Sequence, residues 1–379
     1  MTDSPRSKLL FVLLCGAALA AYPLVAGSFG LDLVSKIMVY AIFALSLELL
    51  VGATGLVCFG HAAFFGIGAY AAVLLSPATD PGALLWLLPA SVLAAAGYAL
   101  FMGALSLRTQ GVYFIMVTLA FAQMAYYIVH DTPLGGGSDG IYLAAKPVLV
   151  LAGRTLIDLG SALGIYFFTL GCGAAVFGFL ALLLRSRFGR ALAGIKANEQ
   201  RMRATGFSTY PYKLAAFVIS GGIAGLAGFL FGVKDGFVNP ELLSWHLSGA
   251  VLIMIILGGL GHLRGALIGA FAFALLQELF KSEAIFGAFA KHWPLGLGLT
   301  IIASVALLPE GLIGLPAPWQ WRWQWRRRWP GSAGAAIAAP AGAANAAPAG
   351  AAIAAPAGAA NAAPAGAAEA ALPAGQGQP

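Results

Sequence analysis

The chain has 379 residues, of which 60% are hydrophobic and only 9% are charged, and its formal net charge is +7. Soluble globular proteins carry about 25% charged residues, so the composition excludes that class and indicates an integral membrane protein. The positive charge does not indicate nucleic-acid binding, because the basic residues lie in short segments between apolar runs. We therefore predict an all-α membrane protein.

Apolar windows recur along the first 310 residues. Most are long enough for a helix to cross roughly 30 Å of hydrocarbon, which predicts a polytopic bundle of about 8–10 transmembrane helices. The eighth and ninth windows are short and flank a glycine-rich turn at 258–265, so they could instead be two arms of one bent or re-entrant segment. The ten windows cover residues 9–29, 33–51, 56–75, 84–107, 111–130, 163–184, 213–233, 247–261, 265–280 and 294–309.

The distribution of basic residues predicts the orientation. With ten windows, fifteen of the 21 Lys and Arg residues fall on one side of the membrane and six on the other. The larger group includes Arg108, Arg264 and seven basic residues within 185–213. Cytoplasmic segments of membrane proteins carry the excess of Lys and Arg, so we predict that the N- and C-termini are both cytoplasmic.

Residues 52–70 are rich in glycine, which permits an irregular backbone at membrane depth where protein or a watery cavity covers it. A broken helix that lines a pore and a tightly packed helix both fit this pattern. Glu48 precedes the segment and is one of few ionisable residues inside a window. It could line a substrate path or be a structural carboxyl that holds helices together.

Other glycines indicate turns and packing faces. Residues 132–140 predict a flexible turn on the outer side, with a docking or gating role left open. Glycine pairs spaced four apart predict faces at which membrane helices approach closely. These pairs are Gly221/Gly225, Gly228/Gly232 and Gly265/Gly269.

The largest predicted cytoplasmic segment is the basic loop 185–212. Positions 190–205 predict a short helix, with Gly206 as its C-terminal stop. Three apolar residues are spaced toward one face of it: Leu192, Ile195 and Met202. The helix could lie on anionic lipid or fit a groove on a partner protein, and composition does not choose between them.

No catalytic motif is present in the sequence. The chain contains no Gly-Lys pair, so it has no GxxxxGK[ST] loop through which to hydrolyse nucleotide. HExxH, GxSxG and paired-cysteine motifs are also missing. We predict that the chain is not an enzyme and uses no cofactor or metal.

Two segments follow the transmembrane domain, which we place at 1–310. The basic and aromatic segment 311–331 alternates Trp with Arg at 319–329. This pattern could bind RNA but favours an anchor at lipid headgroups, where indoles and guanidinium groups are both accommodated. Residues 332–379 contain a tandem Ala/Pro/Gly repeat without a periodic apolar face, which predicts a disordered tail.

Five motifs occur in order within about residues 30–310. They read GLVCFGHAAFFGIGAYAA at 55–72, GGSDGI at 136–141, SRFGRALAGIKANEQRMRATG at 186–206, YKLAAFVISGGIAGLAGFLFG at 212–232 and VLIMIILGGLGHLRGALIGA at 251–270. This combination resembles the LivM-type permeases of branched-chain amino-acid ABC importers. The resemblance does not extend to 319–379.

The resemblance implies a multi-pass transporter subunit of the bacterial inner membrane, without its own ATPase site. In such importers a second homologous permease, two cytoplasmic ABC ATPases and a periplasmic substrate-binding protein complete the assembly. The family's cytoplasmic loop couples ATPase movement to the pore, which favours partner docking for 185–206. The coupling residues implied are Arg187, Gly189, Arg190, Leu192, Ile195, Asn198, Glu199 and Gly206. The pore-lining candidates are Glu48, Thr54, Gly55, Gly60, His61 and Gly66.

Two alternatives stay open at this stage. The same subfamily includes permeases for urea and short-chain amides. An ion-coupled secondary amino-acid carrier would also have broken, glycine-rich helices, and Glu48 and His61 would then be candidates for ion coupling.

Overall fold

A computed structural model of the chain is almost entirely helical over the residues it describes, which are 16–25, 27–77, 82–151, 154–282, 287–308 and 311–314. The start of the first predicted window, most of the segment 311–331 and the whole tail 332–379 lie outside the described residues. In chain order the helices are α1 (Ser28–Glu48), α2 (His61–Leu74), α3 (Leu84–Ser106), α4 (Val112–Asp131), α5 (Ala162–Arg185), α6 (Arg187–Ala197), α7 (Glu199–Ala204), α8 (Thr209–Asp235), α9 (Trp245–Gly258), α10 (Leu263–Lys281) and α11 (Trp293–Leu307).

Six of the described helices are long and apolar enough to cross a membrane: α1 with the π-helical turn Leu49–Thr54 that extends it, α3, α4, α5, α8 and α10. The apolar helices α2, α9 and α11 are shorter. Helices suit this environment because hydrocarbon offers no partner for backbone N–H and C=O groups, so these groups must bond within the segment. The prediction of an all-α polytopic membrane protein is confirmed.

Helices α1 and α8 form the centre of the bundle. About four-fifths of the α1 span and nearly three-quarters of the α8 span are buried, against less than a third of each other long span. Glycines on α8 allow close approach, because a Cβ added at Gly221 or Gly225 would overlap a side chain of α3, and one at Gly228 would overlap the Phe65 backbone of α2. These contacts confirm that glycine pairs form packing faces.

Two helices begin inside the bundle rather than at its ends. Helix α2 follows the non-helical segment 55–60, and α9 follows a stretch at 236–244 that is not α-helical. The backbone N–H of Ala62 donates to the hydroxyl of Ser248 at 2.9 Å, and both residues are buried, so the first turns of α2 and α9 meet. The predicted window 56–75 was therefore wrong in its first five residues, whereas the broken backbone was predicted correctly.

The eighth and ninth predicted windows form two separate helices, α9 and α10, joined by a turn at 259–262. A Cβ added at Gly258 would overlap the backbone of Gly265, and one at Gly269 would overlap the backbone of Met254. The bent-element alternative is thus replaced by two closely packed helices.

One end of the bundle, which we call the loop end, carries α6 and α7. The ammonium group of Lys196 in α6 donates a hydrogen bond to the carbonyl of Gly52 at 2.7 Å. The N–H of Gly261, in the turn between α9 and α10, donates to the carboxylate of Glu48 at 2.6 Å. The end of α1, the loop and this turn therefore lie side by side.

Within the described residues, the loop end also gathers three segments that were predicted to be cytoplasmic, whereas the two chain ends lie outside the described residues. The hydroxyl of Tyr210 donates to the carbonyl of Ala104 at 3.0 Å, which places the end of α3, close to Arg108, beside the start of α8. Arg264 follows the turn at this same end. The side of the membrane that the loop end faces stays a prediction.

The opposite end, which we call the strand end, carries two small antiparallel sheets that the sequence analysis did not predict. Strand β1 (Ile141–Tyr142) pairs with β4 (Phe237–Val238), with Ile141 opposite Val238. Strand β2 (Val148–Leu151) pairs with β3 (Arg154–Asp158), with a register shift between Leu149 and Val150.

The glycine-rich segment 132–140 lies next to these strands and contains two short 3-10 turns, at Pro133–Gly135 and Gly137–Asp139. Three of its glycines have φ between 63° and 73°, a region that favours glycine, so the predicted turn is confirmed. Lys234 at the end of α8 pairs with Asp32 at the start of α1 at 2.8 Å, which joins the two central helices at this end.

Candidate translocation core and coupling loop

The first residue of α2, His61, lies in the centre of the bundle. Its side chain is fully buried, and its Nε2 is 2.7 Å from the hydroxyl of Ser46 on α1. The ring stacks on Phe43 with centroids 5.3 Å apart and meets Phe64 edge-on. This packing provides one polar partner inside an otherwise aromatic cluster, so His61 acts here as a structural contact between α1 and α2.

Serine hydroxyls extend this contact to two further helices. The hydroxyl of Ser220 on α8 donates to the backbone carbonyl of Ser46 at 2.5 Å. The hydroxyl of Ser248 on α9 accepts from the Ala62 N–H, as described above. A buried N–H without a partner would cost free energy, and the irregular start of α2 creates such donors. The three hydroxyls therefore help to hold α1, α2, α8 and α9 together.

Glu48 lies at the junction of α1 and its π-helical turn and is only 3% exposed. One carboxylate oxygen accepts from the Gly261 N–H, while the other has no protein partner within the described residues. A Cβ at Gly52 would overlap this carboxyl group, so the glycine provides the space that Glu48 occupies. Of the two interpretations of Glu48, these contacts favour a carboxyl that holds helices together.

The other pore-lining candidates are also close to neighbouring elements. Thr54 is buried and donates to the carbonyl of Leu50 at 2.6 Å. Gly55 is exposed and has φ of 76°. Gly60 and Gly66 are buried, and a Cβ at Gly60 would overlap α4, whereas one at Gly66 would overlap Leu243. Five of the six candidates are therefore enclosed in this single chain, and their lining of a pore stays a prediction.

The loop after α5 forms two helices, α6 and α7, rather than the single helix predicted at 190–205. Ser186 caps α6 by accepting from the Gly189 N–H at 3.4 Å, and Asn198 caps α7 by accepting from the Arg201 N–H at 2.9 Å. Asn198 has an extended backbone, which ends the first helix and starts the second. The prediction of a single helix was wrong because the side chain of Asn198 favours the N-cap position over a helix interior.

Helix α6 is anchored by its apolar face and exposes a basic one. Leu192 and Ile195 are buried, and Met202 of α7 is half-buried, with its sulfur 3.1 Å from the position that a Cβ at Gly194 would take. Gly189 is buried against the backbone of Leu184. The exposed basic side chains of the two helices are Arg187, Arg190, Lys196, Arg201 and Arg203. Gly206 has φ of 80° and follows α7, as predicted for a C-terminal stop.

Glu199, the one acidic residue of the loop, binds three partners. Its carboxylate lies 2.6 Å from Arg203, 2.8 Å from Lys213 and 2.9 Å from the hydroxyl of Thr209. Burial opposes ionisation of Glu199, but hydrogen bonds from Lys213, Thr209 and Arg203 outweigh it and hold its pKa below the usual range. The ionised carboxylate thus fastens α7 to the first turns of α8.

Sequence reasoning missed several residues that complete these contacts. Ser46, Ser220 and Ser248 are isolated hydroxyl residues in apolar stretches of helix, and no local pattern separates them from other serines. Lys196 lies in the basic loop and Lys213 directly follows it, and their positive charge by itself indicates only the orientation in the membrane. Their partners are far away in the sequence, so only the packing of the helices identifies them.

Known proteins are similar to this sequence over most of its length. Residues 30–306 match the family described as branched-chain amino acid transport system / permease component. The chain is 31% identical to the high-affinity branched-chain amino acid transport system permease protein LivM of Escherichia coli (strain K12), over 83% of this chain and 76% of that protein. It is 23% identical to the high-affinity branched-chain amino acid transport system permease protein LivH of the same organism, over 73% of this chain and 92% of that protein.

A solved structure, PsaBC from Streptococcus pneumoniae in complex with Fab, aligns with 15% identity and a TM-score of 0.39, over 82% of this chain and 99% of that chain. This likeness is too distant to support an argument. The LivM and LivH proteins are named as permeases, which agrees with the prediction that the chain is not an enzyme. The family match covers most of the helical bundle, so the chain belongs to the family of permease components of branched-chain amino acid transport systems.

Proposed function

We propose that this chain is a permease subunit of an ABC importer that moves branched-chain amino acids across the bacterial inner membrane. The family match over residues 30–306 carries this proposal. The relatives reported above are both named for branched-chain amino acids, which favours these substrates over urea and short-chain amides.

The chain works beside a second, homologous permease. Its similarity to both LivM and LivH supports this pairing. Both proteins are named as permease proteins of a high-affinity branched-chain amino acid transport system, and both come from the same organism. Two cytoplasmic ATPases supply the energy, since this sequence has no phosphate-binding loop of its own. A periplasmic binding protein delivers the amino acid, so the permease itself needs few and weak substrate contacts.

Helices α6 and α7 dock on one of the ATPases. Their apolar side chains are turned into the bundle, and their exposed surface is basic, with Glu199 already engaged by Lys213. A partner that receives this surface therefore has an acidic groove. ATP binding shifts the ATPases between two arrangements, and the loop transmits that shift to helices that open alternately to the two sides.

Uptake by proteoliposomes that contain both permeases and both ATPases tests the proposal. Leucine, isoleucine and valine should enter only with ATP inside and with the binding protein outside, and a protonophore should not stop uptake. Leucine uptake driven by a proton gradient without ATP would show an ion-coupled carrier instead. ATP-driven uptake of urea or acetamide, with none of leucine, would identify the amide-type alternative.

A further inference from the structure

The π-helical turn Leu49–Thr54 is contacted from two sides by parts of the chain that are far away in sequence. Lys196 of α6 reaches it from the loop, and the turn between α9 and α10 reaches it through Gly261 and Glu48. A π-helical turn is rare and frequently occurs at functional sites.

The first contact joins the loop to α1. The ammonium group of Lys196 is 2.7 Å from the carbonyl oxygen of Gly52, and the Lys196 side chain lies 3.5 Å from the position that a Cβ at Gly55 would take. The last carbonyls of a helix lack intrahelical donors, so the lysine provides a missing partner and also places a cation at the negative end of the helix dipole. Helix α6 is therefore bonded directly to the end of α1.

The second contact joins α1 to the paired helices α9 and α10. Glu48 is buried, and its bond to the Gly261 N–H is short, at 2.6 Å. Gly259 and Gly261 have φ of 113° and 86°, so glycines form this turn and the Glu48 carboxylate holds it in place. A buried hydrogen bond is electrostatically stronger than one exposed to water, because the dielectric constant of the protein interior is low.

We infer that Lys196 and Glu48 are positioning residues that carry movement of the α6–α7 loop through the π-helical turn to the α9–α10 helix pair. Each contact is a polar bond to backbone, so it restrains the main chain rather than one side chain. The inference rests on the proposed function, because it requires that an ATPase moves the loop.

The test measures leucine uptake and ATP hydrolysis together in proteoliposomes that hold the complete importer. Lys196→Met keeps most of the side-chain length but removes the donor, and we expect uptake per ATP hydrolysed to fall about fivefold. ATPase co-purification should be retained, because the Lys196 ammonium group is bonded to Gly52 and the exposed arginines of α6 and α7 remain for docking. Loss of ATPase co-purification in Lys196→Met would overturn the inference, because the lysine would then act in docking. Lys196→Arg keeps a donor and should restore most of the uptake. Lys36→Met removes an exposed lysine on α1 far from the loop end and serves as the matched control.

Glu48 provides the second half of the test. Glu48→Gln keeps an acceptor for the Gly261 N–H, so its leucine uptake per ATP hydrolysed should stay close to the wild-type value. Glu48→Leu removes the acceptor, and its uptake per ATP hydrolysed should fall to the same degree as in Lys196→Met. The double variant Lys196→Met/Glu48→Leu should be no worse than the poorer single variant, because both residues act on one route. Should Glu48→Leu fail to fold, hydrogen exchange of amides 258–263 in Lys196→Met reports the same link and should become faster.

The inference would be overturned if Lys196→Met took up as much leucine per ATP hydrolysed as the wild type. It would also be overturned if the double variant lost the sum of the two single losses in uptake per ATP. An equal loss in Lys36→Met would overturn it as well. A wild-type importer that shows no ATP-dependent leucine uptake would instead refute the proposed function, so the two failures can be distinguished.

Discussion

The carboxylate of Glu199 lies 2.8 Å from the ammonium group of Lys213, and the lysine side chain is only 6% exposed. This pair fixes the second loop helix to the start of α8, one of the two central helices of the bundle. A buried lysine without its partner is costly, so the geometry of the loop depends on this contact.

Glu199→Gln should destabilise the loop by about 2 kcal/mol, because it leaves the buried Lys213 cation without a charged partner. Thermal denaturation of the purified protein in detergent measures the change. Arg203→Gln is the matched control, since Arg203 is 54% exposed and its ion pair with Glu199 is accessible to water. It should lower the stability by less than about 1 kcal/mol. Equal losses in both variants would contradict the assigned role of Lys213.

The stability that Glu199 provides should depend on pH. Its pKa in the folded protein lies below the usual range, so the ionised carboxylate stabilises the fold at pH values above the unfolded pKa of about 4.3. This stabilisation is lost as the pH falls through the lower pKa of the folded protein. The difference in thermal midpoint between the wild type and Glu199→Gln should be largest at neutral pH and should shrink below about pH 4. A difference that stays constant down to pH 3 would argue against an ionised Glu199.

Gly228→Ala should weaken the contact between α8 and α2, because its Cβ would overlap the Phe65 backbone. We expect a loss of about 2 kcal/mol, typical of an overpacked core. Gly222→Ala provides the control on the same helix, since a Cβ there makes ordinary contact with Val92 at 3.5 Å. Denaturant midpoints of both variants in detergent measure the effect. Similar midpoints for the two would show that α8 can shift to accommodate the methyl group.

Ser46→Ala should destabilise the bundle by about 1–3 kcal/mol, because it leaves both ring nitrogens of the buried His61 without a hydrogen-bond partner. Ser35→Ala removes a buried hydroxyl on the same helix that donates to the carbonyl of Leu31, one turn away, and should cost much less. The two variants should transport leucine with unchanged substrate affinity if His61 is structural. A large rise in KM for Ser46→Ala alone would place His61 on the substrate path instead.

The sequence by itself determined the class of protein, most of the spans and the family. Continuous apolar runs of about 20 residues form helices in hydrocarbon, because each backbone group must find its hydrogen-bond partner within the segment, so composition and window length suffice. The family motifs and the glycine packing faces were also visible, because each depends on residues that are close together in the chain.

Only the tertiary structure decided how the candidate residues are used. Ser46 and His61 are fifteen positions apart, Gly52 and Lys196 are 144 apart, and Glu48 and Gly261 are 213 apart, so no local pattern links them. Helix packing brings each pair within hydrogen-bonding distance, and burial then makes the bond necessary, because a polar group without a partner is costly in an apolar interior. The sequence therefore identified Glu48 as an ionisable residue inside an apolar window. It could not identify the partner of Glu48, and so it could not predict the role of this residue.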